Sequence, residues 1–138
     1  MPSLPFILLT LILATRSAGA DVVVIVNASS PVTRLDKNQV SDLFLGKAAT
    51  FPDGSQAVPL DQDNASGLHT EFHDKVTGKS VSQLRAYWSK LVFTGKASPP
   101  REIPDSRAIR SLIATNPNMI GYIDKGSVAP GVRVVYTP

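Results

Sequence analysis

The chain has 138 residues, 43% of them hydrophobic, no cysteine, and 14 Lys and Arg against 11 Asp and Glu, for a formal net charge of +3. With no cysteine there is no disulfide framework, no thiol chemistry and no cysteine to carry a lipid. Charges of both signs are interleaved along the chain, which is not the clustered basic footprint of a nucleic-acid-binding surface.

The first twenty residues, MPSLPFILLTLILATRSAGA, hold an apolar run from Leu4 to about Ala14, followed by the small residues Ala18, Gly19 and Ala20. That is the pattern of a secretory signal peptide cleaved before Asp21, although no Lys or Arg precedes the run. Being shorter than the roughly 20 apolar residues that span a bilayer, the run predicts a leader and no stable membrane insertion. The expected location is periplasmic or secreted. Residues 21–138 then form one domain of 118 residues (138 less 20); 14 basic residues less Arg16 leave 13 against 11 acidic, a net +2.

Within this domain DVVVIVNASS predicts a strand buried on both faces, because its apolar residues are consecutive and β-branched. LDKNQVSDLFLGK predicts a helix capped by Asp36, with Val40, Leu43 and Phe44 inward and Gly46 at its stop. TFPDGSQ turns the chain into a short strand, AVPL. A second helix opens near Asn64 or Ser66 and carries the stripe Leu68, Phe72, Val76 until Gly78 ends it. Ser80 caps a third helix, where Val81, Leu84, Trp88 and Leu91 form the inward stripe, so Trp88 is read as core. ASPPREIPD reads as a proline-stiffened connector. A fourth helix from Asp105 to about Thr115 turns Ile109, Leu112 and Ile113 inward, and Asn116 and Pro117 stop it. MIGYID and VRVVY close the chain as two strands around a Gly and Pro turn. Alternating strands and helices predict a layered α/β domain with a mixed sheet.

Two chemistries meet in DNASGLHTEFHD, Asp63 to Asp74. His69 and His73 lie four apart, so on a helix they share a face and can reach one ion. The zinc-protease pattern needs Glu directly after the first His, where this chain has Thr70. A third ligand must come from elsewhere, with Asp74 or Asp63 the nearest acids. The expectation is therefore two solvated histidines beside the apolar stripe, and no metal or other cofactor. The second chemistry is an anion at the helix start, where backbone N–H groups lack carbonyl partners and the macrodipole is positive. Gly67 lets an anion approach and Ser66 adds a hydroxyl; equally, Ser66 or Asn64 serves as an ordinary N-cap. Nucleophilic catalysis has no GxSxG elbow. Asp61 and Asp63 alternate at a strand end and read as turn formers or caps as readily as paired catalytic carboxylates. No catalytic residue is assigned.

The succession VNASSPV, LDKNQVSDLFLGK, FPDG, SGLHTEF, YWSKLVFTGK and NPNMIGYID resembles the second lobe of the periplasmic phosphate-binding proteins that feed phosphate ABC importers. The resemblance covers essentially the whole of residues 21–138. It implies a single three-layer lobe of that type, a mixed sheet flanked by about four helices, in a family whose full members close two lobes around phosphate. It carries Ser66 and Gly67 over as ligand-binding residues, with Asn64, Gln62, Ser29 and Ser30 as further lining candidates. At two positions the sequence departs from the family: Gln62 stands where members carry an Arg, and Leu68 where a hydroxyl residue follows Ser-Gly. A bidentate guanidinium clamp is therefore missing.

These features lead to a non-catalytic exported solute-binding or sensing module for phosphate or a related oxyanion, with an ABC transporter membrane subunit or an envelope sensor as partner. The expected affinity of a lone lobe is about millimolar at best, near −4 kcal/mol, and a homodimer would supply the missing wall. The alternative from another class is an envelope adaptor that has lost ligand binding.

Overall fold

The computed structural model describes Ser3, Pro5 and residues 21–138; the leader expected in residues 1–20 otherwise lies outside the described residues. Five strands form one mixed sheet in the order β3-β2-β4-β1-β5. They are β1 (Val22–Asn27), β2 (Val58–Gln62), β3 (Arg101–Ile103), β4 (Met119–Asp124) and β5 (Val132–Tyr136). The helices are α1 (Lys37–Phe44), α2 (Gly67–Lys75), α3 (Val81–Phe93) and α4 (Ser106–Thr115). The three-layer α/β lobe and its mixed sheet are as expected. Among the described residues no helix is long and apolar enough to cross a membrane.

Every residue of β1 is buried, as its unbroken apolar run requires. Val22, Val24 and Val26 meet Phe44, Phe72, Ile120 and Tyr122 on the face covered by α1 and α2. Val23 and Ile25 meet Ile109, Ile113 and Ile123 on the face covered by α4. The two C-terminal strands do not pair with each other. Both flank β1, antiparallel to it. Parallel pairing of β2 with β4 and with β3 makes the sheet mixed. Pro59 is tolerated within β2 because β3 pairs only from Leu60 onward, leaving no ladder bond on that side for a proline to break.

Local capping chemistry sets the helix starts. Asp36 and Ser80 form capping boxes with Gln39 and Gln83, Asp105 caps α4, and Ser66 rather than Asn64 caps α2. Three expectations are overturned. The connector ASPPREIPD contains β3, a three-residue strand recruited by the open edge of β2. Trp88 is half-buried rather than core, since α3 buries only Leu84 fully and leaves Phe93 92% exposed. Its ring instead lies over Gly46, where an added Cβ would stand 3.1 Å from the indole. The two histidines of α2 are buried, not solvated.

Gly121, in the middle of β4, lies directly under α4. A Cβ at that position would stand 2.7 Å from Ile109 Cγ2 and 3.1 Å from Ile113 Cδ1. Gly121→Ala must therefore displace the Ile109 side chain or the helix that carries it, and about 1–3 kcal/mol of stability should be lost in urea denaturation. A variant as stable as the parent would show that α4 shifts freely.

Candidate functional site

Strands β2 and β3 each lead into a helix N-terminus: β2 reaches α2 through residues 63–66, and β3 reaches α4 through Pro104 and Asp105. In open α/β sheets this carboxyl edge is where ligands bind. Gln62 ties the two helix starts together. Its amide nitrogen donates to Ser106 Oγ (3.1 Å) and to the Tyr122 carbonyl (3.0 Å), and its amide oxygen accepts from Ser66 Oγ (3.0 Å). With both ends of its amide engaged and only 1% exposure, Gln62 positions the site and does not line it.

Of the first-turn donors of α2, the Leu68 N–H is taken by Ser66 Oγ and the His69 N–H by the Ser66 carbonyl. Gly67 is exposed, and a side chain added there would meet nothing within 4 Å. Its N–H is the donor an anion would use. Asn64 is exposed nearby, and Asp63 Oδ1 accepts from the Ala65 N–H in an Asx turn. Ser29 and Ser30 are not brought to this place. Because β1 runs antiparallel to β4 and β2 parallel to it, the end of β1 that carries them lies at the opposite edge of the sheet from Ser66. There Asn27 Oδ1 accepts from the Ser29 N–H, and Ser30 Oγ accepts from the Val32 N–H, both as turn contacts.

Beneath the helix start lies a polar cluster that sequence reasoning missed. Asp61, buried in β2, receives three donors or potential donors. Its Oδ1 accepts from the Tyr122 hydroxyl and from the Gln62 N–H, and its Oδ2 faces His73 Nε2 at 2.9 Å. His69 Nε2 stands 3.8 Å from Asp61 Oδ1, and the two imidazole centroids are 4.5 Å apart. Burial pushes the Tyr122 phenol far above its usual range, and the Asp61 carboxylate adds to the effect, so the hydroxyl stays a donor. Burial pushes His69 down, against the opposing pull of Asp61. The spacing of His69 and His73 signalled two of its members; the signal for the third was an acid set between Leu60 and Gln62 in a buried strand.

A cavity of about 180 Å³ opens beside this cluster, lined in part by Asp61, His69, Asn64, Arg85 and Glu102. Glu102 lies opposite Asp61 in the parallel register. Partial burial pushes its carboxyl up, and the negative charges of Asp61 and Asp63 push it further.

No protein-family model matches the sequence, and no curated protein matches it. Solved structures do match. A phosphate ABC transporter substrate-binding protein from Clostridium perfringens, with bound phosphate, superposes with a TM-score of 0.68 at 24% identity. An ABC-type phosphate transport receptor from Vibrio cholerae gives 0.66 at 17%, and PstS from Borrelia burgdorferi 0.62 at 13%. The chain has the fold of one substrate-binding-protein lobe. Each match covers 83% of this chain but only 44%, 45% and 46% of those three proteins, so the lobe spans less than half their length. At such identities the likeness concerns the fold. In an open sheet of this kind the carboxyl edge of β2 and β3 is the place to look for a ligand.

Proposed function

We propose that the chain is a non-catalytic solute-binding or sensing lobe that takes phosphate or a related oxyanion at the N-terminus of α2, through the Gly67 N–H and through the Ser66 hydroxyl once it turns from Gln62, to which it donates here, toward the anion. The observation that carries this reading is the fold: a relative with phosphate bound shares it over 83% of this chain. Open space over Gly67 gives an anion its approach, and the helix dipole supplies partial positive charge.

Electrostatics keep the affinity low. Asp61, Asp63 and Glu102 gather at the same edge, and Gln62, committed to Ser106 and Tyr122, offers no guanidinium. A few hydrogen bonds to a charged ligand, each worth roughly 1.5–3 kcal/mol, then compete with an association cost of several kcal/mol. The dissociation constant for inorganic phosphate should lie near 1 mM, about −4 kcal/mol. A second copy facing the helix start would supply a missing wall and make binding and association mutually dependent. Export to the periplasm or outside the cell, with cleavage before Asp21, belongs to the same reading, as does a transporter membrane subunit or an envelope sensor as partner.

Calorimetric titration with phosphate and sulfate at several protein concentrations tests the proposal. Saturable heat that is lost in Ser66→Ala and Gly67→Leu is the expected result. Gly67 has no positive φ and faces open space, so the leucine variant should fold. Equal heat from both variants, or none from the parent at millimolar phosphate, would reject the α2 site.

A further inference from the structure

We propose that Asp61, His69 and His73 form a binding site for a divalent first-row transition cation of the zinc class, with its open coordination position toward the cavity that Glu102 and Asn64 line. Each of the three offers a ligand atom, and these atoms lie within 4.8 Å of one another. The closest pair, His73 Nε2 and Asp61 Oδ2, is 2.9 Å apart. Tetrahedral zinc with bonds of about 2.0–2.2 Å needs ligand atoms roughly 3.4 Å apart, so movements of an ångström or less close the set.

Proton bookkeeping gives the geometry its meaning. With the Thr77 hydroxyl donating to the His73 carbonyl (3.2 Å), its oxygen is free to accept from His73 Nδ1–H at 2.9 Å. In that tautomer Nε2 faces the Asp61 carboxylate. Nε2 then either carries a second proton or offers its lone pair to a cation shared with Asp61. A hydroxyl or carbonyl that holds the far nitrogen is the outer-shell arrangement of metal-ligating histidines.

His69 is the independent observation. It is 4% exposed, yet its Nδ1 is buried without a hydrogen-bond partner. A protonated Nδ1 would leave the Nε2 lone pair, 3.8 Å from Asp61 Oδ1, pointing toward the same carboxylate. Two imidazole lone pairs and one carboxylate converging in a buried space repel one another unless a proton or a metal cation lies between them. Without a cation, His69 Nε2 makes no hydrogen bond to the carboxylate it faces, since 3.8 Å is beyond hydrogen-bond reach. Two nitrogens and one oxygen suit zinc and its neighbours rather than magnesium or calcium, which prefer oxygen alone.

Surrounding charge favours the same sign of ligand. Asp63 and Glu102 add negative potential beside Asp61, and the cation lining the cavity is Arg85. Glu102, opposite Asp61 in register, is placed to complete or neutralise the site. The inference does not depend on the oxyanion reading, since neither Ser66 nor Gly67 is among its three ligands.

The test is titration of the purified full chain with Zn²⁺ by calorimetry, and with Co²⁺ by visible absorption, comparing the parent with His69→Gln, His73→Gln and Asp63→Asn. One equivalent should bind, with a cobalt d–d band. Affinity should fall by at least roughly 100-fold in both histidine variants, the upper end of what losing an outer-shell partner costs. Asp63→Asn should change it only a few-fold. Should His73→Gln fail to fold, His69→Gln still decides, because its Nδ1 leaves no partner behind. Unchanged zinc affinity in His69→Gln, or no saturable binding below about 1 mM, would overturn the site.

Discussion

Phe72→Ala is expected to lower the unfolding free energy by about 3–5 kcal/mol, the cost of emptying a large aromatic site in a packed core. Phe72 is fully buried and joins three elements. Its ring stacks on Tyr122 of β4 with centroids 4.0 Å apart and planes within 7°, and it meets Phe44 of α1 at 4.7 Å. Removing it leaves a cavity that neither α1 nor the sheet can fill without losing other contacts. Against a total of about 5–15 kcal/mol for an ordinary domain, the loss is a large share of the stability. It should also loosen Tyr122, and through it Asp61. Urea denaturation would show the fall as an earlier midpoint at unchanged slope. A loss under about 1 kcal/mol would mean that the aromatic cluster is not the centre of the core.

Asp61→Ala should be comparably severe, again about 3–5 kcal/mol, by a different mechanism. The carboxylate accepts from the Tyr122 hydroxyl and the Gln62 N–H and faces His73 Nε2. Truncation leaves these groups buried with nothing to receive them. Tyr122→Phe, which removes one donor and keeps the ring, should cost only about 1 kcal/mol. Combining the two changes should cost less than their sum, because the alanine variant no longer strands a hydroxyl. A coupling of about 0.5–3 kcal/mol in this double-mutant cycle is expected. Strict additivity would show that Tyr122 and Asp61 are not one network.

Much of the fold was legible because it rests on short-range chemistry. Asp36, Ser80 and Asp105 announce helix starts through side chains that reach three residues along the chain. The run from Val22 to Val26 announces a strand covered on both faces. Asp63 was legible as a turn former for the same reason. Arg101 to Ile103 were not legible as a strand, since three residues between prolines carry no periodicity of their own; only the exposed edge of β2 makes them one. Trp88 was misplaced because α3 has the period of a buried helix but packs only part of its face.

The site divides along the same line. That a helix opens near Asn64 or Ser66 follows from sequence, as does the placing of His69 and His73 on one face of α2; that Ser66 is the cap came from the structure. Whether that face meets water or the sheet is decided by how α2 lies across β2 and β4. Phe72 takes the aromatic pocket and, with a turn of 100° per residue, carries the adjacent His73 under cover beside Asp61. Strand direction likewise separates Ser29 and Ser30 from Ser66, although all three end strands or open helices in the chain. Periodicity and caps act within a few residues, so the sequence by itself determined most of the elements, β3 excepted, and the apolar stripes of α1, α2 and α4. Pairing order and strand direction join residues as far apart as Val24 and Tyr136, the gathering of Asp61, His69, His73 and Tyr122 spans 61 positions, and only the tertiary structure, by burying both faces of one sheet at once, decided them.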